Sequence, residues 1–251
     1  MWHGSWMLGK VTRSIHVVYT KKRQVLETLK SYTKDRLVNS DDTANIDALQ
    51  QLVTDTICVE NGYCKGFHAA QSGSEVSSMF ATLINKKISV KRFLEIGTCD
   101  GGMFIMMLHF FRSLDKYVYV CSMDLKQKEM LPFLLQEDNY VNFYQVNTVS
   151  SKAKTFLANE SDFDFVFIDG DHSYQGVKND FDLVINRSKH IAFHDIIFSP
   201  GVTKFWNEVK ERYKSDFEFF EFKGSSDVYK DPSHIINGNV STIGIGLMLR
   251  K

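Results

Sequence analysis

Two short segments of this chain concentrate the side chains able to do chemistry. In Phe165-Val166-Phe167-Ile168-Asp169-Gly170-Asp171-His172-Ser173-Tyr174, an apolar run delivers Asp169, Asp171 and His172. In His190-Ile191-Ala192-Phe193-His194-Asp195-Ile196, a second run delivers His194 and Asp195. An imidazole that titrates near neutrality suits the removal of a hydroxyl proton. Two carboxylates and imidazoles brought together can also hold a divalent cation, and oxygen-rich ligation favours Mg²⁺, Mn²⁺ or Ca²⁺. A carboxylate ending a buried strand needs a partner, which singles out Asp169 and Asp195. Asp171 reads as the cap of a helix opening near Tyr174. His109 and His190 read as packed or surface histidines.

A third segment has the form of a ligand loop. Residues 92–102 run from strand to glycine turn to helix: Arg92-Phe93-Leu94-Glu95-Ile96-Gly97-Thr98-Cys99-Asp100-Gly101-Gly102. Cys99 stands where a dinucleotide fingerprint needs its second glycine. Its side chain obstructs a pyrophosphate, which disfavours nicotinamide and flavin cofactors and ranks a dehydrogenase last. A nucleoside without a pyrophosphate still fits. Asp124 ends the next apolar run, where a carboxylate can accept both hydroxyls of a ribose or, alternatively, cap a helix.

These residues fall at the ends of strand-like runs at 92–97, 117–124, 142–147, 163–169 and 190–196, with helical stretches between them. Such alternation predicts right-handed βαβ units. The expected fold is α/β, a Rossmann-like doubly wound and mostly parallel sheet. Two final runs, 217–222 and 242–250, have no helix between them and predict an antiparallel C-terminal strand pair closing the sheet. The polar loop joining them contains Asn237-Gly238. Ser72-Gly73-Ser74-Glu75 has the form of a capping box opening a helix. Residues 1–70 read as a basic helical N-terminal extension and 71–251 as the main domain. Within the extension, Val11, Ile15, Val18, Val25 and Leu29 mark one apolar face of a helix over residues 10–36.

Composition narrows the function classes. The 251 residues carry 30 Lys+Arg and 30 Asp+Glu, which argues against a dedicated nucleic-acid binder. That zero hides an asymmetry: the first 40 residues hold eight basic and two acidic side chains, the other 211 hold 22 and 28. The basic N-terminal helix therefore invites a partner surface or a second copy of the chain. Cys58, Cys64, Cys99 and Cys121 form no C-x-x-C pair, and no apolar run approaches a membrane span or a signal peptide, so a cytoplasmic protein is expected.

Glu95-x-Gly97-x-x-x-Gly101, the strand-end Asp124 and the closing pair together resemble class I S-adenosylmethionine-dependent methyltransferases. The resemblance implies that Glu95, Gly97, Thr98 and Gly101 face the methionine end and ribose of S-adenosylmethionine. It places Asp124 on the ribose diol and Asn147 near the adenine. Asp-Gly-Asp-His-Ser-Tyr followed by Ile-Ala-Phe-His-Asp-Ile is similar to the branch containing macrolide-sugar O-methyltransferases and cephalosporin-hydroxylase-like proteins. In the metal-dependent members of that branch, acids ending the fourth and fifth strands bind magnesium. Carried over, Asp169 and Asp195 are ligands and His172 is the general base, with His194 where those members have a carboxylate. That departure opens a softer metal or metal-free base catalysis. The implied activity is methyl transfer to a hydroxyl of a small molecule, sugar or glycan. The rival readings are a non-catalytic nucleoside-binding protein and a metal-dependent hydrolase.

Overall fold

A computed structural model describes residues 18–57, 59–60, 63–64, 66–69, 71–126, 135–136, 138–224, 235–236, 239–240 and 243–251. One sheet contains β1 (Arg92–Ile96), β2 (Tyr119–Asp124), β3 (Val141–Gln145), β4 (Phe163–Ile168), β5 (Ser188–Phe193), β6 (Phe217–Gly224) and β7 (Ile243–Arg250). Their order across the sheet is β3-β2-β1-β4-β5-β7-β6. The first five run parallel, while β7 is antiparallel to both β5 and β6. The doubly wound sheet and its closing pair are therefore present. Burial explains why the last strand sits inside the sixth. β7 is buried along its whole length except at Arg250, as a strand with neighbours on both sides requires. In β6, Glu218, Glu221 and Lys223 are exposed, which suits the strand to an edge.

Alternation along the strands divides the core. Phe93, Phe165, Phe167, Ala192 and Leu247 point to one face; Leu94, Val166, Ile168, Ile191 and Phe193 point to the other. The first face is covered by α1 (18–29), α2 (Ile46–Ile57), α3 (Gly73–Asn85) and α4 (Gly102–Leu114). The second is covered by α5 (Ser151–Asn159), α6 (Tyr174–Val184) and α7 (Pro200–Tyr213). Between α3 and α4, Phe80 and Phe110 stack with ring centroids 3.9 Å apart.

The extension is not set apart from the main domain. Val25, Leu29, Leu37, Leu49 and Leu52 are buried in the same core as Met79, Phe80 and Phe104. The helix expected over residues 10–36 is described only from residue 18. It ends at 29, tightening into three-residue turns as Ser31 and Tyr32 donate to Thr28 and Leu29. The buried Tyr32 then donates its hydroxyl to Asp55 of α2 at 2.7 Å. Asn237-Gly238 lies outside the described residues. So does most of its loop, apart from a two-residue ladder of Ile235–Ile236 with Asn239–Val240. Among the described residues no helix is long and apolar enough to cross a membrane.

Candidate active site

Backbone bonds continue past the strand ends and fix the site. Gly97 donates to Met123, Asp169 to Ile96, and His194 to Ile168. These three bonds hold the residues following β1, β4 and β5 side by side. The chain order reverses between β1 and β4, the place where open α/β sheets bind ligands. Gly97 has φ +87, and a Cβ there would collide with the Asp169 carbonyl. Only glycine lets the two loops approach this closely.

The glycine turn and Asp124 form one unit. Asp124 Oδ2 accepts from the amides of Thr98 and Cys99 at 2.7 and 2.9 Å, and Oδ1 from Lys126 at 2.7 Å. A carboxylate offers about four acceptor positions, so these bonds leave one, on Oδ1. Cys99 adopts φ +48, and the Thr98 hydroxyl meets that of Ser122 within the core.

A cleft of about 610 Å³ opens at this edge, and Gly97, Cys99, Asp124, Asn147, Asp169 and Asp180 line it. Among the described residues its wall carries four carboxylates, Asp124, Asp169, Asp171 and Asp180, and one lysine, Lys126. Such a wall suits a cationic ligand of nucleoside size. A larger hollow of about 720 Å³ involves Arg23, Lys30, His109 and Asp138 at the opposite ends of the strands. It meets none of the strand-end acids. Glu95, Thr98 and Gly101 do not line the cleft. Glu95 is 0% exposed, with neither carboxylate oxygen hydrogen-bonded. Burial first, and the nearby Asp169 charge second, push its carboxyl well above the ordinary value. Glu95 is thus a buried carboxyl group that does not line the cleft.

Beside the cleft, Asp169 collects three partners. Its Oδ1 lies 3.1 Å from His172 Nε2 and 3.0 Å from His194 Nδ1, and Oδ2 accepts from Gln71 at 2.6 Å. Burial would raise its carboxyl, but the charge of His194 and the bonds from both histidines hold it at about 2. His172 stands 41% exposed at the mouth, its Nδ1 3.1 Å from Asp195 Oδ2. The Asp169 bond raises its pKa, against the opposing effect of burial. His194 is 3% exposed. Burial would lower its pKa, yet Asp169, Glu75 and Asp195 together lift it well above the ordinary value. Asp195 has φ +59 and accepts from the Ser199 hydroxyl at 3.1 Å.

Asp169, His172 and His194 each place a ligand-type atom within 4.8 Å of the others. The donor set nevertheless does not suit a hard divalent cation. Two of its three members are imidazoles, and both nitrogens of each ring face carboxylates. Asp171 stays outside the cluster and does not cap α6: it accepts from Ser173, and Ser173 is the cap. Sequence reasoning missed Gln71 and Glu75. The capping box at Ser72 is formed as expected and already accounts for Glu75, so no signal remained for its second contact.

Residues 94–196 match a family described as a methyltransferase domain. No curated protein matches the chain. Among solved structures, it is similar to an O-methyltransferase from Bacillus cereus in complex with SAH. The two share 16% identity and a TM-score of 0.51, over 88% of this chain and 99% of that one. A cofactor-bound protein from MTB is likewise 16% identical, with a TM-score of 0.51 over 81% and 88%. A Pyrococcus horikoshii structure, provisionally described as an RNA methyltransferase, is 11% identical with a TM-score of 0.50 over 82% and 98%. At these identities the likeness is one of fold.

Proposed function

We infer, from a methyltransferase domain at residues 94–196 set in the class I methyltransferase fold, that this protein is an S-adenosylmethionine-dependent O-methyltransferase acting on a hydroxylated small molecule, sugar or glycan. The observation that carries the hydroxyl reading is the Asp169–His172 pair, bonded at 3.1 Å beside the acidic cleft. S-adenosylmethionine supplies an electrophilic methyl group on a sulfonium. Asp124 offers its remaining acceptor position to the ribose, and Asn147 lies on the wall assigned to the adenine. The carboxylates around the cleft favour the sulfonium and the amino group electrostatically.

An alcohol attacks a methyl group well only as its proton leaves, and His172 is the group placed to take that proton. Both of its ring nitrogens face carboxylates in this structure. In the reactive state one nitrogen keeps its carboxylate, which orients the ring, and the other exchanges its carboxylate for the acceptor hydroxyl. The proton passes to that nitrogen as the O–CH₃ bond forms and the S–CH₃ bond breaks, leaving S-adenosylhomocysteine. Holding the two reactants in line supplies much of the remaining acceleration. We assign acceptor choice to the segment before Ser72 and to residues 223–241, most of the latter lying outside the described residues.

Calorimetry with S-adenosylhomocysteine tests the cofactor assignment: absence of binding refutes it. His172→Ala is expected to retain that binding and lose methyl transfer by about 10²–10⁴-fold. Binding of S-adenosylhomocysteine without transfer to any hydroxylated acceptor would favour a non-catalytic nucleoside-binding protein.

A further inference from the structure

The two oxygens of Asp169 are held in different ways. His172 Nε2 and His194 Nδ1 both meet Oδ1, at 3.1 and 3.0 Å. Contacts on one oxygen leave the carboxylate plane free to turn about it. Among the described residues, one donor meets the other oxygen: Gln71 Nε2, 2.6 Å from Oδ2. A charge-assisted bond of that length closes the remaining freedom. Nitrogen has to face the carboxylate, because an amide oxygen there would set two acceptors against each other. Gln71 is 3% exposed, and its Oε1 takes no hydrogen bond from the described residues. The bond to Asp169 is thus the polar contact that holds this amide.

Separate parts of the fold anchor the two ends of that bond. Gln71 directly precedes Ser72, whose amide donates to Glu75 Oε1 at 2.7 Å in the capping box of α3. Gly224 of β6 packs on Ser72 so closely that a Cβ there would collide with the Ser72 hydroxyl. Asp169 is set from the sheet, where its amide donates to Ile96 at the end of β1 at 2.8 Å. His172 is 41% exposed, so its orientation depends on the carboxylates at its two nitrogens.

We propose that Gln71 is a positioning residue for the general base: by holding Asp169 Oδ2 it keeps Oδ1 turned toward His172 and so fixes the imidazole that receives the acceptor's proton. The proposal rests on the methyltransferase reading. A neutral amide suits the task. A lysine would also hold the oxygen, but its charge would compete with the imidazole for the carboxylate. A base loosened by an ångström loses much of the advantage of alignment.

Gln71→Met keeps the reach of the side chain and removes the donor. The decisive measurement is carbon-13 NMR relaxation of the His172 ring. Its order parameter is expected to be about 0.85 in the native protein and below about 0.6 in the variant. The His190 ring, whose Nδ1 accepts the Arg250 amide at 3.1 Å, serves as the internal control and is expected to stay unchanged. A His172 ring equally ordered in both proteins overturns the proposal. Equal loosening of both rings also overturns it, since that marks a merely structural role. Should the variant not fold, the native protein decides through scalar coupling across the bond from Gln71 Nε2 to the Asp169 carboxylate carbon: its presence supports the proposal and its absence refutes it. Calorimetry with S-adenosylhomocysteine tests the broader methyltransferase reading separately, and failure to bind refutes that reading whatever the ring shows.

Discussion

His172 and Asp180 show how single side chains set the behaviour of this site with pH. The pKa of His172 is raised above its ordinary 6.5, chiefly by Asp169. A base must be neutral to accept a proton, so methyl transfer is expected to rise with pH along an acid limb centred above 6.5. His172→Ala removes the limb, and Asp169→Asn moves it down; initial rates from pH 5.5 to 9 check both. The same shift contributes stability below pH 6.5 that is lost as pH rises through the folded value. Asp180 is 2% exposed, and burial raises its carboxyl from 3.8 to about 6. Stability is therefore lost as pH rises through that interval, and the ionised group costs up to about 3 kcal/mol at pH 7.5. Asp180→Asn is expected to be the more stable protein at pH 7.5 and to lose that advantage at pH 4, as denaturant melts at the two values will show. Asp124, Asp169, His172 and Asp195 were legible because each follows an apolar run that has to be a buried strand. Gln71 and Glu75 were not, since they reach Asp169 and His194 only through packing between distant parts of the chain.

At the scale of elements, the active edge depends on loops that leave β1, β4 and β5 at the same level. Gly97→Ala would demand a side chain at φ +87 against the Asp169 carbonyl. The expected cost is about 2–5 kcal/mol in a denaturant titration, with a parallel loss of S-adenosylhomocysteine affinity. The sequence specified element types well here: hydrophobic period, capping box and glycine turn agree with one another. The order of the last two strands lies in their composition, not in their spacing: β7 is apolar as far as Leu249, as a central strand requires, while β6 carries Glu218, Glu221 and Lys223 and suits an edge. The third strand ends at Gln145, not Asn147, and the two residues beyond it lie on the cleft wall.

Across the whole molecule, the opening helices are part of the core that supports β1 and β4. Leu29 is 1% exposed and shares that core with Phe104 and Phe167. Leu29→Ala is expected to cost about 2–5 kcal/mol of global stability although it lies far from the chemistry. A two-state denaturation curve with an unchanged slope checks this. A result near zero would mean that the first helix can detach and leave the domain folded. The amphipathic spacing announced a buried face, which Val25 and Leu29 form, whereas Val18, expected on the same face, is exposed. What that face packs against is a tertiary fact, absent from any local pattern.

Asp169 belongs at once to the wall of the cleft and to the carboxylate–imidazole cluster. Two ligands that meet the same carboxylate cannot be thermodynamically independent. Whatever factor the nucleoside imposes on acceptor affinity, the acceptor must impose on the nucleoside. One shared side chain thus makes the order in which substrates arrive and products depart a property of the pair.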